Sequence, residues 1–291
     1  MTKIWTVKKI LDWTNQFFTE KQVPEARLSA EWLLADVLSC RRIELYLQFD
    51  RILTPDERAA FREFVKRRAA REPVQYILGE TEFYGFPIKV TPDVLIPRPE
   101  TELLVDFTVD YFRTNQDIPQ VIMDIGTGSG CIAIALAKRL VDASVSAVDI
   151  SEAALAVAKT NAVLNDADIH FHHADFLKMD NLSDKKFSVI VSNPPYVAET
   201  DWPGVQPEVR NFEPKTALLA GKDGLDFYRQ LIPQLKNWLS PNGAVFLEVG
   251  YNQALEVKGF LDEANFSTEI KKDYHNIDRI VTGTKLPPIH R

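Results

Sequence analysis

Residues 189 to 197 read Val-Ile-Val-Ser-Asn-Pro-Pro-Tyr-Val, a strand-like apolar run that stops at Asn193-Pro194-Pro195-Tyr196. Each proline lacks a backbone N–H and favours an extended conformation in the residue before it, so neither a helix nor a strand ladder continues through this point. We therefore expect the carbonyl oxygens of Asn193 and Pro194 to be free to face a ligand. We call residues 193 to 196 the proline corner, and the rest of the chain is organised around it.

The proline corner offers neutral hydrogen-bond acceptors, the side-chain oxygen of Asn193 among them, beside the aromatic face of Tyr196. Such a cluster suits a flat NH₂ group whose lone pair is delocalised, as in a carboxamide or the exocyclic amine of a base. Accepting both N–H groups fixes the plane of the nitrogen and turns one face toward an electrophile, without a general base. The alternative for these four residues alone is a strand followed by a diproline turn.

Outward from this corner, short apolar runs alternate with helical patterns, which predicts a parallel, doubly wound sheet. The predicted strands are Val121 to Ile125, Val145 to Ile150, Ile169 to Ala174, Phe187 to Ser192 and Ala244 to Val249. Helical patterns cover Gly130 to Leu140, Glu152 to Leu164 and Gln253 to Glu263. A closing β pair is predicted at Ser267 to Tyr274 and Arg279 to Lys285.

Residues 6 to 71 place apolar side chains at helical spacing, which predicts a small helical bundle. Thr54, Pro55 and Glu57 form a capping-box pattern that begins one of its helices. The helix ends in a basic run that complements the helix dipole, which favours a solvated helix end over a docking patch for an anionic partner. The run consists of Lys66, Arg67, Arg68 and Arg71.

Between Pro73 and Pro99, glycines and prolines punctuate short β-like pieces, which predicts a hairpin-like connector. The pieces are Val74 to Ile77, Glu82 to Tyr84 and Ile88 to Val90. An amphipathic helix follows, with apolar residues from Leu103 onward and an end near Asn115. We thus predict three parts: a helical bundle over residues 1–72, a β-hairpin linker over 73–99 and a second domain over 100–291.

The composition indicates a globular protein of 291 residues, of which 45% are hydrophobic. The start of the chain has no signal-like apolar run and no segment approaches membrane-spanning length, so we expect a cytoplasmic protein. Only Cys40 and Cys131 are present, which gives neither a disulfide framework nor metal-ligand spacing. Residues 1 to 72 carry 14 Lys and Arg against 11 Asp and Glu, a net +3, so the total of −7 leaves −10 for the remainder. This balance argues against a dedicated double-stranded DNA binder.

A glycine-rich loop follows the first predicted strand and reads Asp124-Ile125-Gly126-Thr127-Gly128-Ser129-Gly130. The dinucleotide fingerprint would need a glycine where Cys131 stands. Asp149 ends the next strand about 20 residues beyond the glycines, where a carboxylate can accept both ribose hydroxyls. Asp175 could accept from an adenine amine while Phe176 lies beside the ring. The spacing therefore supports an adenosine-bearing ligand. The alternative for the glycines is a tight turn between a strand and a helix. The alternative for Asp175 and Phe176 is a structural role, as a cap and as part of the core.

Together with two further motifs, the glycine loop and the proline corner resemble the PrmC/HemK family of bacterial release factor glutamine methyltransferases. The further motifs are Ile96-Pro97-Arg98-Pro99-Glu100-Thr101-Glu102 and the stretch Val209-Arg210-Asn211-Phe212-Glu213-Pro214, with Gly221-x-Asp223-Gly224-Leu225 beyond it. The resemblance runs from the helical leader to Asp278-Arg279. It implies a class I S-adenosylmethionine methyltransferase fold, with a mixed seven-stranded sheet, behind the helical bundle and hairpin linker.

The resemblance further implies methylation of the amide nitrogen (N5) of the glutamine in the Gly-Gly-Gln motif of class I peptide chain release factors. S-adenosylmethionine would be the cofactor and S-adenosylhomocysteine the product, with no metal. Asn193 and the Pro194 carbonyl would grip the amide, with Pro195 and Tyr196 also against the substrate and with Asn193, Pro194 and Tyr196 in the catalytic role. The expected cofactor site comprises Gly126, Thr127, Gly128, Ser129, Gly130, Asp149, Asp175, Phe176 and Asn193. We expect a monomer that contacts neither DNA nor membrane.

Two other functions compete with this hypothesis. An N6-adenine nucleic-acid methyltransferase would use the same amine grip but should carry a basic target-recognition domain. A non-catalytic scaffold could bind S-adenosylmethionine yet has no use for exposed amide acceptors.

His170, His172 and His173 alternate across a predicted strand and lack cysteine partners, so a structural role is favoured over a metal site. Glu213 is expected to order a loop over the pocket through backbone amides, and the bundle to dock the release factor.

Overall fold

The computed structural model describes residues 4–178 and 186–287. Within them the α-helices are α1 (Val7–Glu20), α2 (Ala26–Val37), α3 (Arg42–Leu47), α4 (Pro55–Ala69), α5 (Val74–Leu78), α6 (Glu102–Thr114), α7 (Cys131–Arg139), α8 (Glu152–Leu164), α9 (Pro207–Phe212), α10 (Asp226–Trp238) and α11 (Ala254–Glu263). The strands are β1 (Glu80–Phe83), β2 (Phe86–Lys89), β3 (Val121–Ile125), β4 (Ser144–Asp149), β5 (His170–His173), β6 (Phe187–Ser192), β7 (Leu239–Glu248), β8 (Phe266–Lys272) and β9 (Asp278–Lys285).

The chain divides into two compact units. The first contains the residues up to Glu80 together with Gln206–Phe212, and the second contains Thr81–Val205 and the chain from Glu213 onward. The segment that carries α9 therefore belongs to the first unit although it interrupts the second in sequence. The division predicted from the sequence, with breaks after residues 72 and 99, remains a prediction.

The first unit is a helical bundle whose core is formed by the buried apolar faces of its helices, including Leu11, Phe18, Leu33 and Phe61. The capping box at the start of α4 is confirmed. The Glu57 backbone N–H donates to Thr54 Oγ1 at 3.2 Å, and the Thr54 N–H donates to Glu57 Oε2 at 2.8 Å. Two orphan donors at the helix start are thus satisfied by reciprocal bonds.

The predicted β-like piece at Val74 to Ile77 is wrong, because these residues form the short helix α5. Pro73 precedes the helix and Gly79 ends it with a left-handed φ of 80°. A proline before the first turn and a glycine at the C-cap are the usual boundaries of a helix. The apolar side chains of α5 are buried in the bundle, which outweighs their strand propensity.

The basic run at the end of α4 is also placed differently from the expectation. Arg68 is buried, with 5% of its surface exposed, and Arg71 joins it in binding Glu208 of α9. Arg67 pairs with Glu72 at 2.6 Å. The run is therefore divided: Lys66 and Arg67 are exposed, as expected of a solvated helix end, whereas Arg68 and Arg71 are engaged with Glu208 within the first unit.

The hairpin predicted in the linker is confirmed as the two-stranded sheet of β1 and β2. Its two-residue turn consists of Tyr84 and Gly85, both with positive φ, at 54° and 79°. That pair of conformations matches the twist of the flanking strands and is typical of tight hairpins.

The second unit is built on a seven-stranded sheet in the order β5-β4-β3-β6-β7-β9-β8. The first five strands in that order are parallel, while β9 runs antiparallel to both β7 and β8. The mixed seven-stranded sheet that the resemblance implies is thus confirmed. The chain order reverses between β3 and β6, and open α/β sheets bind ligands outside the carboxyl ends of the strands at such a switch point.

Every residue of β6 is buried, as its uninterrupted apolar run predicts for the central strand of a parallel sheet. The sequence did not predict α10, which contains Pro233 yet buries Tyr228, Leu231, Ile232 and Leu235 against the core. β7 begins at Leu239, five residues before its predicted start at Ala244. None of the described helices is long and apolar enough to span a bilayer.

Candidate active site

The glycine loop and the proline corner emerge side by side at the switch point of the sheet. Asp124 of β3 pairs in register with Val191 of β6, so the two loops leave their strands at neighbouring positions. The Ser192 hydroxyl donates to the Ile125 carbonyl at 2.7 Å and ties the two strand ends together. The topology therefore brings together two motifs that lie some 65 residues apart in sequence.

The glycines of the loop serve different purposes. Gly128 has a left-handed φ of 54°, and its N–H donates to Asp149 Oδ2 at 2.8 Å. The backbone of the loop therefore holds the Asp149 carboxylate in place. Gly130 also has a left-handed φ, and a Cβ there would lie 3.1 Å from the Ala158 Cβ. It lets the start of α7 approach α8 closely rather than lining the cavity.

Asp149 lies at the end of β4 and is held by two backbone donors. Gly128 N–H binds Oδ2, and Ser151 N–H binds Oδ1 at 2.9 Å. Each carboxylate oxygen has a second acceptor site, so the group can still accept two hydroxyls of a vicinal diol. Its orientation is fixed before any ligand binds.

Asp124 lies beneath the loop and is fully buried. Its Oδ2 accepts from the Thr127 hydroxyl at 2.7 Å, whereas its Oδ1 makes no hydrogen bond within the part of the chain that the structure describes. Burial raises the pKa of Asp124 to about 7, and the nearby charge of Asp149 adds to this effect. The short bond to Thr127 braces the glycine loop from below.

Asp175 and Phe176 follow β5 and reach the same cavity. Asp175 Oδ1 accepts from the Leu177 N–H at 3.1 Å. The Phe176 ring packs against Phe227 of α10, with centroids 4.7 Å apart and an angle of 48° between the planes. Phe227 was not predicted as a site residue because the helix that carries it was not predicted.

Asn193 is held by Thr101, a residue that the sequence analysis quoted within a motif but did not assign to the site. Its Nδ2 donates to Thr101 Oγ1 at 3.0 Å, and the Thr101 hydroxyl donates to Glu248 Oε2 at 2.7 Å. Asn193 Oδ1 is buried and has no hydrogen-bond partner among the described residues. Because buried polar atoms are almost always paired, this oxygen is a candidate ligand acceptor.

The other residues of the proline corner are placed differently. Pro195 lines the cavity with Asn193, whereas Pro194 and Tyr196 are not among its lining residues. The Tyr196 ring packs against the core, and its carbonyl accepts from Gln253 Nε2 at 2.9 Å. Burial raises the pKa of Tyr196 to about 12, so its phenol stays neutral. Tyr196 therefore anchors the corner within the second unit.

The cavity at this edge of the sheet measures roughly 380 Å³, within the range of small-molecule sites. The predicted residues on its wall are Gly126, Thr127, Gly128, Ser129, Asp149, Asp175, Phe176, Asn193 and Pro195. Gly130 is absent from that wall. Residues that the sequence analysis did not assign to the site also line it, among them Asp93, Val94, Leu95, Pro97, Arg98, Thr101, Pro214, Thr216, Ala217 and Phe227.

Glu213 connects two of these wall segments. Its carboxylate is buried and accepts from the Ile96 N–H at 3.2 Å and from Arg98 Nη2 at 2.6 Å. The contact with a backbone amide is the one expected of Glu213. Residues 93 to 98 and 214 to 217 are thereby held by one ion pair.

His170, His172 and His173 lie on β5, the edge strand of the sheet. His173 Nε2 lies 3.0 Å from the Ile150 carbonyl. Across residues 4–178 and 186–287, no group of three His, Cys, Asp or Glu side chains is arranged to hold a metal ion.

Comparisons with known proteins agree with this architecture. A family model described as the PrmC N-terminal domain matches residues 9–79, and a model described as the methyltransferase small domain matches residues 101–205. The release factor glutamine methyltransferase of Geobacter sulfurreducens is 44% identical over 282 residues, with 97% of each chain covered. That of Chlorobaculum tepidum is 41% identical over 285 residues, covering 95% of this chain and 96% of the relative.

Among solved structures, a methyltransferase from Pyrococcus furiosus aligns with a TM-score of 0.51 at 19% identity. The alignment covers 70% of this chain and 91% of that one. At this level of identity the likeness concerns the fold alone.

Proposed function

Because the chain belongs to the family of release factor glutamine methyltransferases, we propose that it methylates the side-chain amide nitrogen (N5) of a glutamine in a protein substrate. The substrate class is the class I peptide chain release factors, with the glutamine in their Gly-Gly-Gln motif. One observation of the site carries the proposal: Asn193 Oδ1 is a buried acceptor without a hydrogen-bond partner among the described residues, and Asn193 lines the same cavity as the glycine loop. A primary amide is a donor that matches it.

The cavity fits S-adenosylmethionine as the methyl donor. Asp149 would accept the ribose hydroxyls, Asp175 the adenine amine, and the Phe176 ring would lie against the base. The backbone at Gly126 and Gly128 would border the rest of the ligand. When bound, the cofactor supplies an electrophilic methyl group on a sulfonium and leaves as S-adenosylhomocysteine.

The residues of the proline corner would act by positioning. Asn193 Oδ1 would accept one N–H of the glutamine amide and the Pro194 carbonyl the other, while Tyr196 packs behind them. Both bonds fix the amide plane and place electron density on its nitrogen, which is a poor nucleophile when free. Oriented acceptors that need no rearrangement during the reaction lower its barrier.

The exposed face of α3 supports a docking role for the first unit. Ile43 and Leu47 are exposed there by 63% and 84%, in a unit whose first 72 residues carry a net charge of +3. The partner proposed for this face is the release factor itself. Leu47→Glu should raise the KM for the release factor and leave kcat unchanged, and an unchanged KM would leave α3 without this role.

The central experiment incubates the protein with purified release factor and labelled S-adenosylmethionine, and maps the label by mass spectrometry. Label should appear on the Gly-Gly-Gln glutamine and disappear when that glutamine is replaced by alanine. Asn193→Ala should lower kcat by about 10³-fold, as loss of a key hydrogen-bonding group does, while cofactor binding persists. The exposed Asn237→Ala is the matched control. Transfer to DNA but not to release factor, or full activity of Asn193→Ala, would refute the proposal.

A further inference from the structure

Asn193, Thr101 and Glu248, from separate elements, form a hydrogen-bond relay that leaves Asn193 Oδ1 without a partner among the residues that the structure describes. Asn193 follows β6, Thr101 ends the short 3-10 helix Pro99–Thr101, and Glu248 ends β7. Nδ2 of Asn193 lies 3.0 Å from Thr101 Oγ1, which lies 2.7 Å from Glu248 Oε2. Thr101 and Glu248 are 2% and 1% exposed, so water does not compete for these bonds.

The relay has a direction because its members differ in what they can donate. When Glu248 is ionised its carboxylate can only accept, so the single hydroxyl proton of Thr101 is committed to it. The Thr101 oxygen then has only lone pairs to offer to Asn193. It can bind the NH₂ end of the Asn193 amide but not its oxygen.

The opposite orientation of Asn193 is therefore unfavourable. It would set Oδ1 against the lone pairs of Thr101 and leave the NH₂ group facing the cavity. A substrate amide that presents N–H groups would then meet donors instead of an acceptor. Which end of an asparagine faces a ligand is decided by the partner at its other end, and here that partner is a hydroxyl fixed by a buried carboxylate.

We infer that Thr101 and Glu248 are positioning residues that hold the Asn193 amide with its oxygen toward the substrate nitrogen. The inference rests on the proposed function, in which that oxygen accepts from the glutamine amide. Thr101 lines the cavity and Glu248 does not, so Glu248 acts only through Thr101. The Tyr228 hydroxyl donates to the Glu248 carbonyl at 2.7 Å and fixes the strand end that carries it.

Two substitutions at Thr101 distinguish the effect of its hydroxyl, which orients Asn193, from the effect of its packing. Thr101→Val keeps the shape and removes the hydroxyl, whereas Thr101→Ser keeps the hydroxyl and removes a methyl group. We expect Thr101→Val to lower kcat by about 10- to 100-fold, the range for small misplacements of reacting groups, and to leave the KM for S-adenosylmethionine unchanged. Thr101→Ser should keep kcat near the wild-type value. A wild-type kcat for Thr101→Val, or an equal loss for Thr101→Ser, would overturn the inference.

A double-mutant cycle tests whether Glu248 acts through Thr101. Glu248→Gln offers an NH₂ donor as well as an oxygen, so the direction of the Thr101 hydroxyl is no longer imposed, and kcat should fall. Once Thr101→Val has broken the relay, adding Glu248→Gln should lower kcat no further, because residues acting in one network are not additive. Additive losses would show that Glu248 affects the reaction by another route.

An NMR measurement gives a readout that does not depend on activity. The Asn193 side-chain NH₂ should exchange slowly with solvent in the wild type and in Thr101→Ser, and rapidly in Thr101→Val. Equal exchange in all three would overturn the inference even in an active enzyme. Failure of the proposed function has a different outcome, since the wild type itself would then not methylate the release factor whatever the NMR result.

Discussion

Glu208 in the first unit and Glu248 in the second are both buried glutamates, yet their carboxylates have opposite surroundings. Glu208 accepts from Arg71 Nε and Nη2 at 2.6 and 2.7 Å and from Arg68 Nη1 at 3.2 Å. Glu248 accepts from the neutral hydroxyl of Thr101. Burial would raise the pKa of Glu208, but its arginine partners outweigh burial and lower it. Burial prevails at Glu248, where the pKa rises to about 7.

The difference shows two uses of a buried acid. The carboxylate of Glu208 is matched by cations, so it ties α9 to the end of α4 within the first unit. Glu248 forms no ion pair among the described residues, and the charges of Arg279 and Arg98 only partly offset the burial of its carboxylate, which accepts from the Thr101 hydroxyl. Buried charges that are poorly compensated for stability are typical of functional positions.

The strongest test of this contrast is Glu208→Gln. Removing the acid takes the paired carboxylate away from the buried Arg68 and from Arg71, and breaking a buried pair from one side costs about 3–5 kcal/mol. We expect that loss in the free energy of unfolding, measured by urea titration with far-UV circular dichroism. Glu63→Gln, which removes the exposed partner of Lys66, is the control and should change little. A loss below about 1 kcal/mol would mean that the arginines are solvated.

Glu248→Gln, in contrast to Glu208→Gln, should increase the free energy of unfolding relative to the wild type as the pH rises. The pKa of Glu248 is raised from 4.5 to about 7 on folding, so the folded state binds the proton more tightly and stability falls as the pH rises between these values. This loss is on the order of 3 kcal/mol above pH 7 and absent below about pH 4.5. Glu248→Gln has no such loss, so its stability relative to the wild type should increase from pH 5 to pH 8.

The measurement is the difference in unfolding free energy between Glu248→Gln and the wild type at the two pH values. Asp124 also has a raised pKa of about 7, but it is present in both proteins and cancels in the difference. A difference that does not change with pH would mean that Glu248 has the same pKa in the folded and unfolded states. Gain of stability together with a lower kcat would show that this carboxylate is kept for the reaction.

The sequence predicted the elements whose conformation is determined by residues close to them in the chain. β6 was predicted correctly because an unbroken apolar run determines a buried parallel strand. The hairpin and the capping box were predicted because turns and caps depend on neighbouring residues. α5 was misassigned because five residues are too few to show a helical period, and α10 was missed with a proline inside it.

Among the site residues, too, those that belong to a local motif were predicted and those that depend on distant contacts were not. Asp149 and Asn193 were singled out because each ends a strand within a short motif. Thr101 and Glu248 were not, because they are 147 residues apart and meet only through the packing of the second unit. Arg68 and Glu208 are 140 residues apart, so a charge pattern along α4 could only assign the arginine to solvent. Pairings at such separations are set by topology and leave no local pattern.

The smallest loss of unfolding free energy is expected from a helix cap in the first unit, which serves as the reference for Glu208→Gln. Thr54→Ala removes the side-chain acceptor that caps α4, an exposed neutral hydrogen bond, and should cost about 1 kcal/mol of unfolding free energy. Thr54→Ser keeps that acceptor and should be nearly neutral, which separates the cap from the lost methyl group. Both are measured by the urea titration used for Glu208→Gln. If Thr54→Ala cost as much as Glu208→Gln, burial of the arginine cluster would contribute nothing beyond an ordinary hydrogen bond, and the contrast with Glu248 would lose its physical basis.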